Sequence, residues 1–544
     1  MGRFILSSSA RSSAALAHAF VLATAVSAYQ WPNPKLDVLE GMRWDQLGYN
    51  SFETALFVTP CDRYTFPSDK GVKNVRTNAA DWLRTAYHDM ATHNVETGVG
   101  GLDASIRFWQ EQARPENPGN GFNNSVGFIA GGLNRYFSLS DGLALLAVVA
   151  VENCGGLSMS YRGGRIDALE PNDAGVPEPD QDIDSHTAAF ARQGFNQTEM
   201  IGLVACGHTF GSVQSSNFPD VVAVNETDPK VDTGATFDDS IATFDHHVAV
   251  EYVRGTTKNP LVVGLNVTKN SDARIFASDK NATMQGFAQN AGHFQRTCKS
   301  LLERMIDTVP KGVELTEVIR PLPVKPYQVK LTYMNDGIIK LSGEVRFFNA
   351  TANPQRAVTL AWKDSVPDAS EISTVTLPHT DKMVSTALAG RVQSQWYGNQ
   401  TFLAMLDASR GFGEFWFEVS EGDGAEPRAK NQDGRGFRLP TDKVMIAEGT
   451  CHYTVNIAVH ESLHARSAKI FIELDATTPD NQATAPPEVV TLSPKADVSD
   501  ANGYVIYTTT LVELQWSKGY GIVAEVDGQR LELPHSERNQ FCPS

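Results

Sequence analysis

Arg84 and His88 stand four residues apart in Trp82-Leu83-Arg84-Thr85-Ala86-Tyr87-His88-Asp89. On a helix that spacing sets both side chains on one face, one turn apart. A neutral imidazole beside a fixed cation can take a proton from one oxygen of a peroxide and return it to the other. The guanidinium stabilises charge on the departing oxygen. Read alone, such a pair is also an ordinary solvated or salt-bridged face. Asp89 is turned about 100° from His88, toward Gly100-Gly101-Leu102-Asp103-Ala104-Ser105. That glycine-bearing loop offers carboxylate, hydroxyl and carbonyl oxygens of the kind Ca²⁺ takes, although Gly-Gly-x-Asp is also a common turn. A second histidine, His208, lies in Cys206-Gly207-His208-Thr209 at the end of an apolar run, where a buried core histidine is equally at home. Asp238, Ser240, Thr243 and Asp245 supply oxygens within eight positions and, with Thr209, can form a second Ca²⁺ cage beside His208. Asp279 is the expected partner of the other ring N–H of His208, since a metal-bound histidine usually donates to a carboxylate.

These residues need helices to hold them. From about residue 75 to 310 the apolar spacing is helical: 74–92 around Trp82, an apolar run capped by Ser140-Asp141 and stopped at Cys154-Gly155-Gly156, a helix opened by Thr198-Glu199, and 285–309 as one long helix ended by Pro310. Prolines 321, 323 and 326 then punctuate a linker. Beyond it the period becomes two, with Asn335-Asp336-Gly337 and Asp527-Gly528 as hairpin turns. The expected organisation is a mainly α domain over 29–318, a Pro-rich linker over 319–326, and an all-β, sandwich-like region of one or two sandwiches over 327–544.

The first 28 residues carry Arg3 and Arg11, an apolar stretch and Val26-Ser27-Ala28, and are expected to be a secretory signal. That stretch falls short of a membrane span. Seven Asn-x-Ser/Thr triplets follow, at Asn123, Asn196, Asn225, Asn266, Asn281, Asn349 and Asn399. Together they predict a secreted glycoprotein with every acceptor exposed. In that compartment the six cysteines can oxidise. Cys451 with Cys542 is the preferred pair and Cys61 with Cys154 a second. The chain of 544 residues carries a net charge of −17, which repels nucleic acid and anionic lipid.

In order and spacing, the segment 75–310 resembles the secreted fungal haem peroxidases of the plant/fungal/bacterial peroxidase superfamily. Arg84-x-x-Tyr87-His88-Asp89 is similar to the distal helix and Gly101-Leu102-Asp103-Ala104-Ser105 to the distal calcium loop. Val176-Pro177-Glu178-Pro179 resembles the strip along the haem edge, Gly207-His208-Thr209 the proximal motif, and 238–245 the second calcium loop. The resemblance implies haem b with His208 as axial ligand and Asp279 behind it, His88 as acid–base catalyst, Arg84 as charge stabiliser, and Asn117 orienting His88, with Asn120 as the alternative. Tyr87, Pro177, Glu178 and Phe237 line the implied pocket. Two Ca²⁺ ions are implied, the first on Asp89, Gly101, Asp103 and Ser105, the second on Thr209, Asp238, Ser240, Thr243 and Asp245. H₂O₂ would be reduced through a ferryl intermediate and small phenolic donors oxidised in one-electron steps.

The chain also departs from that family. Tyr87 stands where phenylalanine or tryptophan is usual. The positions of the Mn²⁺ carboxylates hold Thr77, Asp81 and Gln214, and that of the surface tryptophan holds Leu203. Neither Mn²⁺ oxidation nor long-range oxidation by that route is expected. The β-rich region is expected to pack on the peroxidase or to tether it to cell-wall polymer, with Trp396-Tyr397 and Phe415-Trp416-Phe417 read as core. Two other functions compete with the peroxidase reading: a weakly active haem protein with an adhesive β region, and a catalase-like peroxide scavenger.

Overall fold

The computed structural model describes residues 29–66, 75–227, 232–334, 337–366, 370–451, 453–463, 468–475, 487–495, 499–512, 519–526 and 528–535. The helices that matter here are α1 (Pro34–Trp44), α2 (Asn78–Met90), α3 (Gly121–Ile129), α4 (Leu139–Asn153), α5 (Ile183–Arg192), α6 (Gln197–Gly207), α7 (Ser271–Ala277) and α8 (Ala291–Ile306). Helix α2 starts where Thr77 Oγ1 accepts the Ala80 N–H at 3.1 Å. Its Trp82, Leu83, Ala86 and Met90 enter one core with α4, which is buried along almost its whole length. Helix α4 is capped by Ser138, two residues before the expected cap. Helix α6 opens on a capping box between Asn196 and Glu199. The expected long helix 285–309 is two helices, because Asn290 leaves helical geometry and its side chain caps α8 by accepting from the His293 N–H. No helix of the described residues is long and apolar enough to cross a membrane.

Disulfides Cys61–Cys154 and Cys206–Cys298 staple this core, the second tying α6 to α8. Cys206–Cys298 was not anticipated, since those residues read only as apolar helix positions. Cys451 is disulfide-bonded, while Cys542 lies outside the described residues, as does the 1–28 segment read as a signal.

The remainder is β structure. A twelve-stranded sheet comprises β1 (Leu47–Gly48), β2 (Val324–Tyr333), β3 (Ile338–Phe347), β6 (Val384–Ala387), β7 (Val392–Asp407), β10 (Val444–Ala447), β11 (Thr454–His460), β12 (Lys469–Leu474), β13 (Glu488–Pro494), β14 (Tyr504–Thr510), β15 (Tyr520–Val526) and β16 (Gln529–Glu532). Its order is β1-β6-β7-β3-β2-β10-β11-β14-β13-β12-β15-β16. A four-stranded sheet of β4 (Ala357–Lys363), β5 (Ile372–Thr376), β8 (Phe415–Ser420) and β9 (Arg428–Lys430) packs against the first part of it. Two apolar cores result, and β10 and β11 feed both: Met445 and Ala458 point into one, Val444, Val455, Ile457 and Val459 into the other. Trp396, Tyr397, Phe415 and Phe417 are buried core residues, whereas Trp416, expected with them, is only half-buried. His460 bonds Ser462, and the residue four further on, His464, lies outside the described residues.

The expected boundaries shift. Strand β2 begins at Val324, inside the segment read as a linker, and Ile319 is buried in the helical core. Residues 29–48 serve both regions. Trp31 packs edge-on against Phe415 and Phe437, and β1 pairs antiparallel with β6. Behind α1, the fully buried Arg346 holds Asp45 at 2.7 Å and Glu40, with Lys325 Nζ on Glu40 at 2.6 Å. On another face, Arg135 binds Asp475 and Glu473, each at 2.8 Å, and Tyr136 donates to Glu532 at 2.7 Å.

Candidate active site

A cavity of about 460 Å³ opens between α2 and the end of α6, the size range of small-molecule and cofactor sites. Arg84, Tyr87 and His88 line one wall, His208 and Phe237 line another, and Pro177 and Glu178 border it. The i, i+4 spacing sets Arg84 and His88 side by side, as expected. His88 Nδ1 lies 2.6 Å from Asn117 Oδ1, and Asn117 Nδ2 donates to Glu111 O at 2.8 Å. The amide orientation is thereby fixed, so Nδ1 carries the proton and Nε2 keeps a lone pair. Asn120 instead accepts from Arg76 at 2.5 Å. Burial and the Arg84 charge hold the His88 imidazolium well below its ordinary pKa. Arg84 is pushed down to about 10 by burial and stays cationic at neutral pH. Its guanidinium lies 4.4 Å from the Phe122 ring centroid, and both terminal nitrogens donate to Pro118 O at 3.3 Å.

His208 follows the last residue of α6 and stacks on Phe237 at 4.3 Å. Its Nδ1–H donates to Asp272 Oδ2 at 2.8 Å. The expected partner, Asp279, is a correction: it lies beyond the C-terminus of α7 and accepts from Thr283 N and Oγ1 at 2.9 and 2.6 Å. Asp272 sits in the first turn of α7, fully buried, and is held by Asn259 Nδ2 at 2.8 Å. Nothing local in Asn270-Ser271-Asp272 distinguishes this carboxylate from Asp279 in the sequence. Both ring nitrogens of His208 are thus assigned, with Nε2 left as a donor to a metal.

The two loops read as calcium sites differ. At the proximal loop, Ser240 Oγ donates to Asp238 Oδ1 and Asp245 Oδ1 at 3.1 and 3.0 Å, and Thr209 Oγ1 donates to Asp245 O at 2.8 Å. Thr243 reaches the same turn through its N–H on Ser240 O. Asp238 Oδ2 is buried with no hydrogen-bond partner, and burial pushes its carboxyl up to about 7. A buried, unpaired carboxylate oxygen among hydroxyls and carbonyls fits a hard cation. At the distal loop the Asp89 carboxylate accepts backbone N–H groups of Asp103, Ala104 and Ile106 at 2.7–2.9 Å. Asp103 and Ser105 lie beside Asn172, a residue not singled out from sequence, and Gly101 O accepts from the Asp103 N–H.

The positions read against Mn²⁺ oxidation are equally defined. Thr77 caps α2, Asp81 Oδ2 accepts from Arg76 at 3.2 Å, and Leu203 is buried in α6.

The Peroxidase family model matches residues 68–281, which contain every wall of this cavity built on α2, α5, α6 and α7. The helical domain belongs to the plant/fungal/bacterial peroxidase superfamily. The peroxidase domain is similar to L-ascorbate peroxidase 5, peroxisomal, of Arabidopsis thaliana (33% identity over 138 residues, 25% of this chain and 48% of the relative). It is also similar to manganese peroxidase 3 of Phlebia radiata (26% over 308 residues, 51% and 81%). A longer match joins the peroxidase domain to part of the β region: a WSC domain-containing protein of Arthroderma benhamiae, 37% identical over 352 residues, 64% of this chain and 47% of the relative. The chain spans about half the length of the WSC domain-containing relative and of the ascorbate peroxidase.

Proposed function

We propose that the protein is a secreted haem peroxidase that reduces H₂O₂ and oxidises small phenolic or similar donors in one-electron steps. The observation that carries this reading is the pair of oriented histidines lining one cavity, each with Nδ1–H held by a fixed acceptor, Asn117 or Asp272. Haem b fits the donor set: His208 Nε2, left free by the Asp272 bond, would hold the iron, and the mixed apolar and charged lining would hold the rest of the group. When bound, the haem supplies the two electrons that peroxide takes and receives them back singly from donors.

The chain's own residues manage protons and charge. His88 Nε2, neutral at the cavity wall, would remove the proton from one peroxide oxygen and return it to the other, which leaves as water. Arg84 stabilises the negative charge that develops on that oxygen. Asn117 keeps His88 in the tautomer that can act as base, and Asp272 does the same for His208. Thr209, Asp238, Ser240, Thr243 and Asp245 would hold Ca²⁺ beside the proximal helix end. Such an ion is structural: it fixes the segment that carries His208.

Two disulfides and seven glycosylation triplets, four at exposed asparagines and three (Asn225, Asn266 and Asn281) at half-buried ones rather than all exposed as expected, support an extracellular setting. The contacts through Arg346 and Arg135 support a buttressing role for the β region rather than a tether.

The test is a visible spectrum of haem-loaded full-length protein before and after one equivalent of H₂O₂, beside Arg84→Leu/His88→Ala. A rapid spectral change that phenolic donors reverse, and that the double variant slows by at least about 10²-fold, is expected. A spectrum indifferent to peroxide would end this reading, and steady oxygen evolution without a donor would identify a catalase-like enzyme.

A further inference from the structure

The two loops resembling calcium sites are usually taken as a pair, but here their oxygens are not in the same chemical condition. In the distal loop the Asp89 and Gly101 oxygens already accept hydrogen bonds, while Oε2 of the neighbouring buried Glu111 accepts none. Both Asp89 carboxylate oxygens accept backbone N–H groups, and the Asp89 carbonyl accepts Thr92 Oγ1–H at 2.8 Å. Gly101 O accepts the Asp103 N–H at 2.9 Å. The remaining oxygens surround a nitrogen: Asn172 Nδ2 lies 3.1 and 2.9 Å from the two Asp103 oxygens, 3.0 Å from Ser105 Oγ and 3.3 Å from Thr92 Oγ1. An amide nitrogen presents two positively polarised hydrogens to its neighbours, so it stands at the position a cation would take among these oxygens. Its seat is built from both sides, since the Asn172 N–H donates to Glu111 Oε1 at 2.6 Å and Arg114 donates to the Asn172 carbonyl. Calcium at 2.3–2.6 Å from six or more oxygens cannot share that space with Nδ2. In the proximal loop Asp238 Oδ1 and Asp245 Oδ1 likewise accept the Ser240 and His247 N–H groups, at 2.8 and 2.9 Å, but among the described residues no side-chain amide is bonded among these oxygens, and Asp238 Oδ2 has no hydrogen-bond partner.

We propose that the Asn172 amide takes the place of the distal cation and that the chain holds a single Ca²⁺, at the 238–245 loop. The proposal rests on the cation reading of that proximal loop given above. It assigns Asn172 a positioning role: it closes the loop behind His88 through Asp103 and Ser105 instead of a metal.

The experiment is elemental calcium analysis of full-length, haem-loaded protein equilibrated with excess Ca²⁺ and then desalted. The Soret absorbance of the same samples reports the haem site separately. Wild type is expected to carry one ion per chain and Asp238→Asn none. Asp103→Asn, which alters the distal loop alone, should stay at one. Asn172→Asp, which replaces the intruding N–H donors by oxygen, should rise to two. Two ions in wild type with one surviving in Asp238→Asn would overturn the proposal. So would loss of the ion in Asp103→Asn, or an Asn172→Asp chain that still takes only one. No ion in wild type would overturn the proximal reading and the single-ion count with it, while leaving an intact Soret response as support for the peroxidase chemistry.

Discussion

At the scale of single residues, the environment of His88 sets a pH window. An imidazole pushed well below its ordinary range stays neutral through the pH region where a free histidine titrates. The rate of the first reaction with H₂O₂ should therefore stay level on acidification through about pH 6.5 and fall only below it. Arg84, although burial lowers its pKa, stays cationic across this range and adds no limb of its own; stopped-flow rates from about pH 4 to 9 check the profile. Asp238 titrates with the opposite consequence. Its folded-state carboxyl, raised to about 7 without a cation, contributes stability in acid that is lost as pH climbs from about 4 through about 7. Chelated protein should thus lose thermal stability between pH 5 and 8, and Ca²⁺ should restore more of the Tm at pH 8 than at pH 5. Arg84, His88 and His208 were legible in the sequence because helical spacing and glycine flanks are local signals. The carboxylate behind His208 was not. Asp272 and Asp279 are both followed by helix, and only the packing of α7 against α6 selects the nearer one. Asp272→Asn should weaken haem retention or activity by about 10–100-fold, whereas Asp279→Asn should leave haem retention unchanged; competition with apomyoglobin measures both.

At the scale of elements, three segments meet at the proximal histidine: α6 delivers it, α7 supplies its acceptor, and α8 is stapled to α6 by Cys206–Cys298. Cys206→Ser/Cys298→Ser should destabilise the fold by about 2–4 kcal/mol, read as a lower denaturation midpoint with the distal geometry retained. Helix existence was plain from periodicity, but its punctuation was not. The break at Asn290 follows from a side chain capping the next helix, which competes locally with continued helix and leaves only a weak mark on an apolar pattern. The alternation that identified the strands likewise said which face is buried, not which strand neighbours which. Pairing of β1 with β6, more than 330 residues away, has no local signature at all.

At the scale of the whole molecule, the boundary between helical and β regions is covalent in the sequence but not in the packing. Arg346 neutralises Glu40 and Asp45 of the first helical segment in full burial, and Arg135 reaches the far end of the twelve-stranded sheet. Removing one member of such a buried group costs about 3–5 kcal/mol. Arg346→Met should therefore destabilise both regions together, with haem absorbance and β-sheet circular dichroism lost in one transition; separate transitions would show independent domains. A chain ending near residue 320 should fail to give soluble, haem-competent protein. Trp31 carries this further, because its ring is seated between Phe415 and Phe437 and its backbone N–H is bonded to Gln432, 401 residues away. During synthesis at roughly 5–20 residues per second, the first ordered tryptophan of the chain waits on the order of 20–80 s for its partners to be made. The seam between the helical and β regions therefore closes late, once Phe437 has been made, although the residues that line the cavity are complete by Met305.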